Sequence, residues 1–89
     1  MTENSAYVFV AAICRGKAEG GNGCEYFGSL GGWNAYYDTA VVLGWIGEDG
    51  ELTELGRRLG GRCSSIGKNR AYFYCREYVE AIKEIVGEL

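Results

Sequence analysis

The sequence predicts a mainly helical domain with one small β-hairpin and a long C-terminal amphipathic helix. Apolar residues recur at helical spacing over residues 70–89, and Asp49-Gly50 separates two short apolar pieces in the manner of a hairpin turn. The hydrophobic fraction of 47% is typical of globular proteins and excludes a disordered chain. A chain of 89 residues is expected to form one domain, 1–89.

The first two predicted helices lie before residue 31. Residues 6–14 are all apolar apart from Tyr7 and follow potential N-cap oxygens, which predicts a buried helix that ends at Arg15-Gly16-Lys17. A second, short helix is predicted over residues 24–30. Gly31-Gly32 is expected to end it because glycine disfavours helix interiors.

Three more helices and the hairpin follow. Residues 33–44 show helical spacing, with Trp33 and Tyr37 on the inward side. The hairpin is expected to turn at residues 47–50, after which Thr53 caps a helix over residues 54–59 that ends at Gly60-Gly61. The last helix is predicted from Arg70 to Leu89.

Cations and acids are separated along the chain, although the net charge is only −3. Residues 18–56 contain no Lys or Arg, and residues 55–76 contain no Asp or Glu. The second stretch holds six cations: Arg57, Arg58, Arg62, Lys68, Arg70 and Arg76. Such a basic segment is typical of a surface that faces nucleic acid, an acidic partner or the acidic half of the same fold.

Several function classes are disfavoured by what the sequence lacks. Without His there is no common general base and no mixed Cys/His zinc site, so we expect neither an enzyme nor a cofactor. No apolar run approaches the roughly 18 residues of a membrane span. The apolar segment near the start lacks the basic region of a signal peptide, and we expect an unprocessed cytoplasmic protein that does not bind membranes.

The sequence contains four cysteines that are candidates for disulfides or metal ligands: Cys14, Cys24, Cys63 and Cys75. Their spacing contains no C-x-x-C pair, which argues against a metal site. We expect at least one disulfide, with buried thiols as the alternative; the pairing stays open. Intracellular disulfides are a feature of thermophiles, so this expectation also suggests a thermophilic source.

The segment from Leu43 to Leu59 resembles the hairpin region of small winged helix-turn-helix regulators of archaeal and viral type. It reads Leu-Gly-Trp-Ile, an acidic Gly-containing turn, and then Leu-Thr-x-x-Gly-x-x-Leu. The resemblance extends loosely over residues 5–60. It implies that residues 33–43 form a recognition helix, that residues 48–51 form the wing tip, and that the protein binds nucleic acid or regulates transcription.

One departure from that family pattern keeps a second function open. The outer face of the implied recognition helix carries no cation, and the wing tip is acidic. We therefore expect DNA contacts mainly outside this helix, at the following residues: Asn34, Tyr36, Arg57, Arg58, Arg62, Lys68 and Arg70. The alternative is a protein-interaction module of viral or mobile-element origin that does not contact nucleic acid.

Two further expectations concern the last helix. Residues 61–69 miss the spacing of a phosphate-binding loop, yet Lys68, Arg70 and the first amides of the helix are suited to hold a phosphate; an ordinary capped helix start is the alternative. The apolar stripe of the helix is long enough to predict a homodimer. Its expected interface residues are Tyr78, Ile82, Ile85 and Leu89, unless the helix over residues 6–14 covers them.

Overall fold

A computed structural model describes residues 3–24, 27, 30–66 and 76–87. Within these ranges the chain forms four helices, α1 (Glu3–Ala18), α2 (Leu30–Val42), α3 (Glu54–Ile66) and α4 (Arg76–Val86), and no strand. The mainly helical expectation is confirmed. Of the predicted last helix, residues 70–75 and 88–89 lie outside the described residues.

Helix α1 is the centre of the fold. It contacts each of the other three helices, and its contact with α3 is the most extensive. Residues 10–14 are fully buried, as a helix surrounded by other helices requires, so the predicted buried helix is confirmed. Ala40, Leu59 and Ile82 complete the core from α2, α3 and α4.

The predicted β-hairpin is wrong. Residues 43–53 form a loop whose single antiparallel bridge joins Ile46 to Leu52, with the Gly47 amide donating to the Glu51 carbonyl at 2.8 Å. The residues beside this bridge use their amides elsewhere: those of Trp45 and Ile46 both donate to the Ala40 carbonyl. The ladder therefore stops after one pair, and without a wing the winged-helix expectation is also wrong.

Thr53 joins this loop to the start of α3. Its hydroxyl accepts a hydrogen bond from the Gly56 amide at 3.2 Å, which confirms the predicted N-cap. The same hydroxyl lies 2.6 Å from the Gly44 carbonyl oxygen and 3.1 Å from that of Trp45, to which it donates. One side chain thus ties the end of α2 to the first turn of α3.

Glycine pairs expected to break helices lie inside them. Gly31-Gly32 belongs to the first turn of α2, at the end of the helix and not in its middle, where glycine is most costly. Gly60-Gly61 lies within α3, where Gly60 is buried; a Cβ there would lie 2.5 Å from the Cys14 carbonyl oxygen. Gly60 is therefore a packing residue that lets α3 approach α1 closely, not a helix stop.

Gly56 has the same role one turn earlier. A Cβ on it would overlap the carbonyl oxygen of Trp45, which belongs to backbone and has little room to move. Gly56 and Gly60 are four residues apart and so lie on one side of α3. The Gly of the Leu-Thr-x-x-Gly pattern is explained by this contact between the helix and the loop before it.

We predict that Gly56→Ala lowers the free energy of unfolding by about 3 kcal/mol, because the new methyl group displaces backbone. The matched control is Gly61→Ala, in the same helix, where a Cβ would meet nothing within 4 Å. Its better helix propensity should raise the stability by up to about 1 kcal/mol. Urea denaturation followed by circular dichroism measures both; equal effects of the two substitutions would contradict the packing role of Gly56.

Candidate functional site

The outward side of α3 carries three arginines, Arg57, Arg58 and Arg62, which we call the arginine face. All three are exposed, whereas Leu59 and Cys63 point into the core. At about 100° per residue the three arginines span an arc of roughly 140° around the helix. The amphipathic pattern of α3 thus concentrates positive charge on one side.

Two of these guanidinium groups have partners within the chain. Arg57 donates to the Leu52 carbonyl at 2.8 Å, and Arg62 lies 3.4 Å from a Glu84 carboxylate oxygen on α4. The pair of Arg62 with Glu84 is exposed on both sides, so its contribution to stability is small and a ligand can replace it. The Arg58 guanidinium makes no ion pair or hydrogen bond within the part of the chain that the structure describes.

The other predicted nucleic-acid contacts are not brought to this face. Asn34 is exposed on α2, which packs on α1. The Tyr36 ring is half-buried and stacks on Phe27 with the ring centroids 5.7 Å apart, so it is engaged in packing. Lys68 and Arg70 lie outside the described residues, and the phosphate site predicted there stays a prediction.

The outer face of α2 is different in character. Its exposed positions are Gly31, Asn34, Ala35, Asp38, Thr39 and Val42. None is a cation, and the Val42 side chain is 85% exposed. This face therefore offers amide and hydroxyl groups but no positive charge to a phosphate, and it carries one exposed apolar side chain.

A cleft of about 620 Å³ opens between the end of α1 and the start of α3. Lys17 and Arg57 supply positive charge to it from two different elements, and Glu51 adds a carboxylate. Gly20 and Gly21 also line it, but their amides donate to the carbonyls of Lys17 and Gly16 to close α1. Lys17 had no sequence signal as a site residue, because only the packing of α1 on α3 brings it near Arg57.

Arg15 was expected to mark the end of the first helix, but α1 continues to Ala18 and the Arg15 side chain is completely buried. Its Nε lies 3.7 Å from Oε2 of Glu19, and that same oxygen accepts a hydrogen bond from the Ser64 hydroxyl at 2.8 Å. The network joins the last turn of α1 to α3. Its charge is therefore used inside the fold and is not available to a ligand.

The disulfide expectation is wrong for the cysteines that can be described. Cys14 and Cys63 are buried and Cys24 is half-buried, and none of the three is disulfide-bonded; Cys75 lies outside the described residues. The suggestion of a thermophilic source loses its basis with them. Among the residues described there is also no group of three or more side chains suited to a metal ion.

Burial raises the pKa of the Cys14 thiol from 9.0 to about 12, with the neighbouring Cys63 adding to the shift and Lys17 opposing it. A thiol of this kind stays protonated and is a poor nucleophile. The alternative of buried thiols that pack as small apolar groups describes Cys14 well.

The residues predicted for a dimer interface differ in how deeply they are buried and in whether the structure describes them. Ile82 is fully buried in the core of its own chain, and Ile85 is half-buried beside that core. The structure does not describe the side chain of Tyr78, and Leu89 lies beyond the described residues. Ile82 thus contributes to packing within the chain, and the homodimer stays a prediction.

Comparison with protein-family models, curated proteins and solved structures finds no match to this chain. Nor does the described part of the chain contain a helix with the length and apolar character needed to cross a membrane.

The raised pKa of Cys14 predicts how stability depends on pH. In the unfolded chain this thiol ionises near 9.0, whereas in the fold it keeps its proton up to about 12. The contribution of the protonated Cys14 thiol to the free energy of unfolding is therefore complete below about pH 9 and is lost as the pH rises toward 12. Cys14→Ala should lose stability less steeply between pH 9 and 11 than the parent protein, as measured by urea denaturation at each pH.

The matched control for this experiment is Cys24→Ala, which leaves the Cys14 thiol in place and should keep the parental slope. A Cys14→Ala slope equal to that of the parent would refute the assignment of the pH dependence to this thiol.

Proposed function

We propose that this protein binds nucleic acid through the sugar-phosphate backbone, with the arginine face of α3 as the contact surface. The observation that carries the proposal is the exposure of Arg57, Arg58 and Arg62 on one side of a helix whose other side is packed against α1. Because α1 supports α3, the arginines project from a firmly held helix.

The chemistry of the three side chains suits phosphate. A guanidinium group donates two parallel hydrogen bonds to a phosphate and keeps its charge at any physiological pH. Arg57 and Arg62 are separated by about 7.5 Å along the helix axis, which is roughly the rise of two nucleotides along the axis of a duplex. Arg58 has its whole guanidinium available within the described part of the structure.

The overall charge defines what kind of binding to expect. With a net charge of −3 the molecule as a whole does not attract a polyanion, so attraction comes from a local patch. Contacts made through phosphates carry no sequence information, and we propose binding that is weak, salt-sensitive and largely independent of sequence.

A second candidate function is the docking of a protein partner on α2. The observation that favours it is the cation-free outer face of this helix, which ends in the 85% exposed Val42. This candidate needs no contact from the arginine face. The two proposals are therefore separable by substitution on α2 or on α3.

We predict that replacing Arg57, Arg58 and Arg62 together with Gln weakens binding to a 20-base-pair duplex and lowers the slope of log K against log salt by about 2–3, since each lost phosphate contact contributes about 0.9. Fluorescence anisotropy at several salt concentrations measures both quantities. The effect should be the same for duplexes of unrelated sequence.

The control is Lys83→Gln, which removes one exposed cation from α4 and should change the slope by less than one contact. Circular dichroism verifies that the triple variant folds, as expected for three exposed side chains. Unchanged affinity and slope in the folded triple variant would rule out nucleic-acid binding by this face.

A further inference from the structure

The cleft at the end of α1 has the composition of a small-molecule site that adjoins the arginine face and shares Arg57 with it. Its volume of about 620 Å³ lies in the range of pockets that hold small ligands, roughly 300–1,000 Å³. Its walls come from the last turn of α1, the loop that follows it, and the segment from Glu51 to Arg57. The contact between α1 and α3 holds these parts together.

We propose that this cleft binds the phosphate monoester of a hydroxylated small molecule, such as a sugar phosphate or a mononucleotide. Lys17 and Arg57 both line the cleft from different elements, so an anion between them contacts two cations. Arg57 is oriented by its hydrogen bond to the Leu52 carbonyl, which leaves its other N–H groups for the ligand.

The rest of the lining selects more than an inorganic anion. The Glu51 carboxylate accepts hydrogen bonds and repels excess negative charge, so it favours a ligand that carries hydroxyl groups beside its phosphate. Leu52 and Ala18 provide apolar surface for the carbon skeleton. Gly20, where a Cβ would meet nothing within 4 Å, leaves this side of the cleft open.

This inference does not depend on nucleic-acid binding, although Arg57 belongs to both surfaces. Lys17 lines the cleft and is not on α3, whereas Arg58 is on the arginine face and does not line the cleft. These two residues therefore separate the two proposals. Both are neutralised without touching the core, because Arg58 is exposed and Lys17 is half-buried at a helix end.

The test is titration with ribose 5-phosphate, inorganic phosphate and ribose, followed by two-dimensional amide NMR and calorimetry. We expect ribose 5-phosphate to shift the amide signals of Gly20, Gly21 and Leu52 and to bind about tenfold more tightly than inorganic phosphate, because only the ester engages Glu51 and the apolar wall. Ribose alone should bind at least about tenfold more weakly than the ester, since it lacks the charge.

Lys17→Gln should weaken the binding of ribose 5-phosphate about tenfold and leave duplex binding within about twofold of the parent protein. Arg58→Gln should weaken duplex binding about tenfold and leave the binding of ribose 5-phosphate within about twofold. Absence of shifts at the cleft, or equal binding of the ester to Lys17→Gln and to the parent protein, would overturn the proposal. A loss of duplex binding in Lys17→Gln equal to its loss of ribose 5-phosphate would also overturn it, by making the cleft part of the nucleic-acid surface. A failure of the duplex experiments alone would leave the small-molecule site intact.

Discussion

The fold depends on the close approach of one side of α3 to the backbone of two other segments, α1 and the loop that precedes α3. Gly60 faces the Cys14 carbonyl of α1, and Gly56 faces the Trp45 carbonyl of the preceding loop, at distances that leave no room for a side chain. Because both glycines lie on one side of the helix, the α3 backbone packs on these two carbonyl groups without intervening side chains. Leu59 and Cys63 then reach the core beside α1, and the arginines are left on the outer side.

The same contact places the polar groups of the molecule. It brings Ser64 of α3 to Glu19, whose carboxylate forms an ion pair with the buried Arg15 at the end of α1. It also makes Lys17 and Arg57 line the same cleft. The packing of α3 on α1 therefore positions both surfaces: the arginine face along α3 and the cleft at the start of α3.

Much of the helical content could be predicted from the sequence because it follows from local patterns. The uninterrupted apolar segment of α1 predicted a buried helix, and Thr53 was identified as a cap from its position before a helical segment. The glycine pairs were misread for a physical reason: glycine disfavours a helix interior, but Gly60 permits a contact between helices that outweighs its cost. The hairpin was misread because Trp45 and Ile46 bond back to α2 and leave one bridge.

The candidate site was predictable only in part. Arg57, Arg58 and Arg62 follow from charge clustering and helical spacing, but the cleft depends on residues distant in sequence that only the packing of α1 on α3 joins. Likewise the burial of Arg15 follows from its tertiary partners, not from its position at a helix end.

Native-state hydrogen exchange tests the central role of the α1–α3 contact most directly. The account predicts that the amides of residues 10–14 in α1 and 59–63 in α3 exchange only through global unfolding, with the same free energy as denaturant unfolding. Amides of α2, which packs mainly on α1 and exposes a whole face, should open at lower free energy. If α3 instead exchanged through a local opening while α1 and α2 stayed protected together, the contact between α1 and α3 would not be the one on which the fold depends.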